Sequence, residues 1–233
     1  MSVEQLSAGE HGLARRNDLL RAVYFWMMIG LLVSAVTAFV AASSPAVQSA
    51  LFGNPYMIWF LIAVELGLVI VISAAINKIS VPTARILFLL FSFVDGLTLS
   101  VIFLAYTEAS IAATFLIAAL TFGVMSLYGY FTDTDLSSAG KFLFMGLIGI
   151  IIAIVVNFFL KSPTVDWVVS AIGIIIFVGL TAYDTQKIRQ LGEERASEEG
   201  DQPARLAILG ALSLYLDLIN LFIMMLQFTG NRR

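Results

Sequence analysis

The sequence predicts an all-α membrane protein with seven transmembrane helices. Of its 233 residues, 60% are hydrophobic and 12% are charged, which is about half the charged fraction of a typical soluble domain. Apolar segments of about 20 residues, the length that crosses a bilayer as a helix, recur along the whole chain. The connections between them are short, so neighbouring helices run antiparallel. We place the seven spans at residues 22–42, 56–77, 84–106, 110–131, 141–160, 165–186 and 207–228.

A polar segment that we expect to be cytoplasmic, residues 1–21, precedes the first span. It carries charged side chains such as Glu10 and Arg15 before any apolar run. A signal peptide has instead a short charged lead, a short apolar core and a small-residue cleavage site. We therefore expect the first apolar segment to remain as a membrane helix. Residues 22–228 then form a single transmembrane domain, followed by a short tail at 229–233.

Turn-forming residues mark the connections between the spans. Pro45 and Pro55 bound the first connection, and only residues 107–110 separate the third and fourth spans. The longest connection, 190–203, holds five acidic residues and has no apolar period, which predicts a solvated cytoplasmic loop. A weak site that collects cations before a pore is the alternative for this loop, and nothing in the sequence favours it.

The basic residues predict a cytoplasmic N-terminus. In that orientation ten of the thirteen lysines and arginines lie inside, whereas the reverse orientation places only three there. The exceptions are Lys161, Arg232 and Arg233, and a re-entrant last segment would return the two arginines to the cytoplasm. The length of that segment favours a full span, which we expect. The ten residues are Arg15, Arg16, Arg21, Lys78, Arg85, Lys141, Lys187, Arg189, Arg195 and Arg205.

Composition excludes several kinds of site. The chain has no cysteine, which rules out disulfides and thiolate metal ligands. Its one histidine, His11, lies in the polar N-terminal segment, so no histidine-based metal site or catalytic dyad can form within the membrane. No basic patch suggests nucleic acid. We expect a multi-pass protein of the cell (inner) membrane of a bacterium, without a cofactor.

The last span carries a polar stripe along an otherwise apolar helix. Its members recur at steps of three or four residues and therefore share one face. Lipid offers such a face neither a hydrogen bond nor a counter-charge, so other helices must enclose it. Ser213 and Asn220, on the same face as Asp217, are candidates for lining an ion path. The whole face consists of Gly210, Ser213, Asp217, Asn220, Met224 and Gln227.

Four acidic residues lie within the predicted spans, and no basic residue lies at comparable depth. Lys78 and Arg85 are at helix ends, where long basic side chains reach the interface. The acids must therefore be protonated, share protons, or face water and cations. Each of these states depends on pH, so pH sensitivity is the main physical expectation. The four acids are Glu65, Asp95, Asp184 and Asp217.

Asp184 and Asp217 are the best candidates for an interacting pair, because they lie in adjacent, antiparallel spans. Two carboxyls within hydrogen-bond reach share a proton and titrate as a unit. Depth argues against contact, since the predicted boundaries put Asp217 ~15 Å into its helix and Asp184 only a few ångströms in. Contact requires tilted helices or different boundaries.

Glu65 and Asp95 have hydroxyl groups on their own faces. Ser73 lies two turns from Glu65, and Ser92 and Thr98 flank Asp95 at three-residue steps. These acids either line an ion path or stay neutral and bond to neighbouring hydroxyls or carbonyls as packing contacts. The sequence leaves both interpretations open.

Two segments resemble the signature sequences of the Bax inhibitor-1 family, also called TMBIM. They are TAYDTQKI at 181–188 and LSLYLDLINLF at 212–222. The segment FSFVDGLTLS at 91–100 and the acid Glu65 fit the same pattern, and the similarity runs from the first span to the end of the chain.

The resemblance implies six helices around a central seventh helix. It also implies a pH-dependent leak of calcium or other cations, controlled by a di-aspartyl unit that Asp184 and Asp217 match and that would contact calcium. Some members have a basic residue of helix two that latches this pair. Here residues 73–77 read SAAIN, with Lys78 just beyond, so an arginine latch is absent. Bacterial relatives are linked to membrane-protease regulation, and animal ones to resistance against cell death.

Three functions compete. The first is a proton-gated cation leak, and the second is a non-conducting regulator that binds other membrane proteins, such as a membrane protease. The third, an intramembrane aspartyl protease, also places two aspartates on adjacent helices. Against it, Asp217 follows Leu-Tyr-Leu rather than a Gly-x-Gly approach, and no Pro-Ala-Leu element follows. We expect no enzyme activity.

Overall fold

The computed structural model describes residues 3–194 and 200–232, with side chains from Asp18 onward except at position 55. In this part of the chain the regular elements are all α-helices. Seven of them are long and apolar enough to cross a membrane, as predicted. The helices are α1 (Val3–Ser43), α2 (Pro45–Phe52), α3 (Pro55–Ala75), α4 (Val81–Ala105), α5 (Glu108–Phe131), α6 (Ser137–Leu160), α7 (Pro163–Glu194) and α8 (Gln202–Thr229).

A short helix that the sequence analysis does not predict, α2, lies between the first two spans. Ser44 caps this helix with an extended backbone, and its side chain accepts a hydrogen bond from the Val47 N–H at 3.4 Å. Pro45 occupies the first turn, where its missing N–H costs no helical hydrogen bond. The Ser-Pro pair is therefore a helix start as well as the end of a span.

The predicted loop at 190–203 is shorter than expected. α7 continues through Glu194, eight residues beyond the predicted end at 186, and α8 begins at Gln202. The added turns consist largely of good helix formers, and Arg189 pairs with Glu193 at 4.0 Å across one turn. Pro203 lies in the first turn of α8, a position that suits proline. The loop that remains is 195–201, of which residues 195–199 lie outside the described residues.

The last helix, α8, is continuous over 28 residues, or about 42 Å. That length crosses a bilayer, and a re-entrant segment would need a break that this helix does not have. α8 is also the most enclosed span, with 67% of its most apolar stretch buried against 39% or less in the other six. Such burial is what the polar stripe requires. Its place at the centre of a ring of six helices stays a prediction.

The chain falls into two compact units, and each is described by itself. The first comprises Met1–Ala105 and Ile188–Tyr215, and therefore holds α1–α4 with parts of α7 and α8. The second comprises Tyr106–Lys187 and Leu216–Arg233, and therefore holds α5, α6 and the remaining parts of α7 and α8.

In the first unit, α1 packs closely against α4. A Cβ at Gly96 of α4 would lie 2.7 Å from the backbone carbonyl oxygen of Ser34, so only glycine permits this approach. The Tyr215 ring of α8 makes edge-to-face contacts with Phe88 and Phe91 of α4, at centroid distances of 6.1 and 5.4 Å. Tyr215 is 0% exposed and forms part of the centre of this unit.

In the second unit, α7 lies directly against α5 and α6. A Cβ at Gly129 of α5 would lie 2.2 Å from the Ala182 carbonyl oxygen of α7. A Cβ at Gly140 of α6 would lie 2.5 Å from the ring of Tyr183. Both glycines are thus required for the close approach of these helices. They contact the two residues of α7 that precede Asp184.

The Gly129 contact leads to a stability prediction. We expect Gly129→Ala to lower the stability of the folded protein by about 1–3 kcal/mol, because the added methyl group meets backbone that cannot rotate away. The measurement is the thermal unfolding midpoint of the purified protein in detergent. Gly123→Ala in the same helix is the matched control, since no atom lies within 4 Å of its added Cβ. Similar losses from both substitutions would contradict close packing at Gly129.

Candidate functional site

Asp184 and Asp217 both lie in the second unit, on α7 and α8. Asp184 is ten residues before the end of α7 at Glu194, and Asp217 is fifteen residues after the start of α8 at Gln202. These positions correspond to depths of about 15 and 22 Å along the helices. The predicted boundaries imply that Asp184 and Asp217 differ in depth by about 12 Å, whereas the observed boundaries give a difference of about 7–8 Å. The difference in depth that argues against contact is therefore smaller than predicted, because α7 extends beyond its predicted end. Direct contact between the two carboxyls stays a prediction.

The structure brings the two carboxyls into electrostatic range of each other. Asp217 is 4% exposed, and Asp184 is partly buried. The charge of Asp184 acts on Asp217, and the charge of Lys187, one turn further along α7, acts on Asp184. The Lys187 ammonium also lies 5.7 Å from the centre of the Tyr183 ring. The two acids therefore differ, because Lys187 acts on Asp184, whereas the described charge that acts on Asp217 is that of Asp184.

One oxygen of the pair is left without a partner. Asp217 Oδ2 is buried and has no hydrogen-bond partner among the described residues, Asp184 included. Buried polar atoms are nearly always hydrogen-bonded, and each exception needs an explanation. This oxygen is available to a proton, a water molecule or a cation.

The ligand chemistry of the pair suits a passing cation. Carboxylate oxygens are hard ligands of the kind that calcium prefers, but calcium takes about 6–8 oxygens. The described residues contain no group of three or more histidine, cysteine, aspartate or glutamate side chains able to hold a metal. An ion between Asp184 and Asp217 would therefore keep most of its water. Calcium contact by these two residues stays a prediction.

The other stripe residues of α8 have varied surroundings. Asn220 Nδ2 donates to the Leu216 carbonyl oxygen of its own helix at 2.8 Å. Ser213 is partly buried and belongs to the first unit. Gln227 Oε1 accepts a hydrogen bond from Ser170 Oγ of α7 at 3.1 Å. The assignment of Ser213 and Asn220 to an ion path stays a prediction.

Glu65 and Asp95 are hydrogen-bonded to hydroxyl groups within the first unit. Thr98 Oγ1 donates to Glu65 Oε1, and Tyr215 Oη donates to Asp95 Oδ2, both at 2.5 Å. The Tyr215 hydroxyl also lies 2.5 Å from Ser34 Oγ of α1. Bonds to neighbouring hydroxyl groups are what the packing interpretation predicts, and they do not decide between the two interpretations. Thr98, which the sequence places one turn from Asp95, bonds Glu65 instead. The assignment of Glu65 and Asp95 to an ion path stays a prediction.

Sequence reasoning missed Tyr215 as the partner of buried Asp95, and Ser34 as the partner of the Tyr215 hydroxyl. Tyr215 lies two residues before Asp217, about 200° away around the helix, so a search of one polar face passes over it. The available signal was the tyrosine itself, since a buried tyrosine hydroxyl usually finds a hydrogen-bond partner.

Removing the Tyr215 hydroxyl tests the packing contact. We expect Tyr215→Phe to destabilise the protein by about 1–3 kcal/mol, because buried Asp95 loses its donor. Thermal unfolding in detergent measures the loss. The control is Tyr56→Phe, since Tyr56 is 78% exposed. If Tyr215→Phe unfolds at the wild-type temperature, the bond does not contribute to stability.

Comparison with known proteins shows the family to which the chain belongs. The family model described as "Inhibitor of apoptosis-promoting Bax1" matches residues 16–233. The chain is 54% identical over 211 residues to "Inner membrane protein YbhL" of Escherichia coli (strain K12), which covers 91% of this chain and 90% of that protein. It is also 45% identical over 218 residues to an uncharacterized protein of Borreliella burgdorferi, with 94% of each chain covered. The chain therefore belongs to the Bax inhibitor family, as a multi-pass inner membrane protein.

Proposed function

We propose that this protein is a pH-sensitive leak channel for calcium or other cations, with Asp184 and Asp217 as its pH sensor and gate. The observation that carries the proposal is the buried Asp217 Oδ2, which has no hydrogen-bond partner among the described residues and lies in the field of Asp184. Acids inside a membrane are functional candidates by default. The resemblance to the Bax inhibitor-1 signature segments implies the same function. The proposal involves no enzymatic reaction and no resident cofactor.

The pair offers two states that differ in proton content. When a proton is present, a carboxyl–carboxyl hydrogen bond joins α7 to α8 and occupies the free oxygen of Asp217. When the proton is lost, the two like charges repel each other and attract cations. In this proposal the shared proton lies on Asp217, because its Oδ2 has no hydrogen-bond partner among the described residues. Protonation at Asp217 Oδ2 breaks no existing bond, so we expect the flux to rise with pH.

Flux measurements on proteoliposomes test the proposal. We expect calcium flux of the wild type to rise several-fold from about pH 6 to pH 8, as a proton-sharing pair loses its proton. Asp184→Asn and Asp217→Asn keep the shape of the side chain but remove the ionisable group. Both are expected to flatten the pH response, read from a calcium-sensitive dye inside the vesicles.

The control for these variants is Asp133→Asn, because Asp133 is an exposed acid in the turn between α5 and α6. It is expected to keep the wild-type flux at each pH. An equal flux and an equal pH response from wild type and Asp217→Asn would refute the channel proposal.

A second candidate is a non-conducting regulator that binds other membrane proteins, such as a membrane protease. The bonds of Glu65 to Thr98 and of Asp95 to Tyr215 favour it, because these acids serve as contacts between helices. A photo-crosslinker at single positions within residues 1–20 tests this candidate. A specific membrane-protein adduct from vesicles that show no flux would support the regulator, whereas pH-dependent flux without an adduct would exclude it.

A further inference from the structure

Gln186 makes an unusual pair of hydrogen bonds two residues after Asp184. Its side chain is buried, with 2% exposed. Gln186 Nε2 donates to the Thr134 carbonyl oxygen at 2.8 Å, and its Oε1 accepts from the Leu136 backbone N–H at 2.9 Å. Both partners lie in the turn between α5 and α6. One side chain of α7 thus bonds two backbone groups of the turn between α5 and α6, one as donor and one as acceptor.

The bond to Leu136 also completes the start of α6. Leu136 supplies no side-chain cap to this helix, and the first N–H groups of a helix have no partner within it. Asp135 Oδ1 accepts from the Ser137 N–H at 2.9 Å, and Gln186 takes the preceding N–H. Hydrogen bonds from the Ser137 side chain and backbone lower the pKa of Asp135, which keeps this capping carboxylate ionised. The start of α6 is therefore capped by exposed Asp135 of the turn and by buried Gln186 of α7.

The residues next to Gln186 connect the same part of α7 to α5 and α6. Thr185 shares a hydrogen bond with Ser126 of α5 at 2.9 Å. Ala182 and Tyr183 lie against glycines of α5 and α6. Asp184 lies within this same segment and interacts with the charges of Asp217 and Lys187.

Helix geometry relates the direction of Gln186 to that of Asp184. Two residues that are two positions apart point about 200° apart around an α-helix. Because Gln186 faces the α5–α6 turn, Asp184 is directed to the opposite side of α7. The bonds of Gln186 thus limit rotation of α7 in either sense at this level.

We infer that Gln186 is a positioning residue for Asp184, and that it sets the pH response of the Asp184–Asp217 pair by fixing α7 to the α5–α6 turn. This inference rests on the proposed function, because the pair must act as the pH sensor. The charged groups that act on Asp184 are Asp217 of α8 and Lys187 of its own helix. The turn carries Asp133 and Asp135, both exposed, and Lys141 follows on α6.

The test uses Gln186→Met, which keeps an unbranched side chain of similar length and removes both hydrogen bonds. Because the chain has no cysteine, Asp133→Cys gives a single site for a nitroxide label in the turn. We expect Gln186→Met to increase the mobility of this label in the spectrum. We also expect the pH of half-maximal flux to shift by about half a unit or more, since the coupling of two charges depends on their separation.

Ser170→Ala is the matched control, because Ser170 is a buried residue of α7 whose side chain bonds Gln227 of α8. It removes a polar bond of the same helix about 21 Å from Asp184, and it is expected to change neither readout. If Gln186→Met does not fold, Gln186→Glu serves for the label measurement, because its carboxylate keeps the acceptor for the Leu136 N–H and lacks the donor to the Thr134 carbonyl.

The outcomes separate the positioning role from the channel proposal. An unchanged label mobility overturns the inference whatever the flux. Increased mobility with an unchanged pH of half-maximal flux also overturns it, provided that Asp184→Asn abolishes the pH response. If Asp184→Asn keeps the wild-type response, the proposed function fails instead, and with it the role of Gln186 in gating.

Discussion

Burying a carboxyl group among membrane helices is the constraint on which the rest of this structure depends, because hydrocarbon supplies neither a hydrogen bond nor a counter-charge. The first unit meets the constraint with hydroxyl groups, since Thr98 bonds Glu65 and Tyr215 bonds Asp95. The second unit leaves Asp217 Oδ2 without such a partner. The acids of the first unit thus connect α3 to α4 and α4 to α8 through hydroxyl groups, whereas the proposed role of Asp217 depends on the oxygen that has no such bond.

Helix packing and hydrogen bonds together fix the position of α7 around Asp184. Ala182 and Tyr183 rest on glycines, which allow α7 to approach α5 and α6 closely. Gln186 then bonds the turn that connects those two helices. Apolar contact sets the distance between helices, and the buried polar bonds set the rotation of α7. The segment TAYDTQKI therefore contains both Asp184 and the neighbouring residues that fix the position of this part of α7.

The predicted spans agree best with the structure where the thickness of the bilayer sets the length of a helix. The seven spans were predicted from hydropathy, and most of their ends were correct to within a few residues. The end of α7 was placed eight residues too early, because hydropathy does not distinguish a polar extension of a helix from a loop. The helix propensity of residues 187–194 was the better guide. This error placed Asp184 only a few ångströms into its helix and overstated its difference in depth from Asp217.

By itself, the sequence determined the class of protein, the spans, the polar face of the last helix and the four intramembrane acids, since residue type and helical period define all of these. It did not determine which groups meet. Thr98 bonds Glu65 rather than Asp95, and Gln186 bonds backbone groups 50 and 52 residues away. Hydroxyl and amide groups bond whatever packing brings within reach, and only the tertiary structure brings distant segments together. The unpartnered oxygen of Asp217 is likewise a property of the assembled helices.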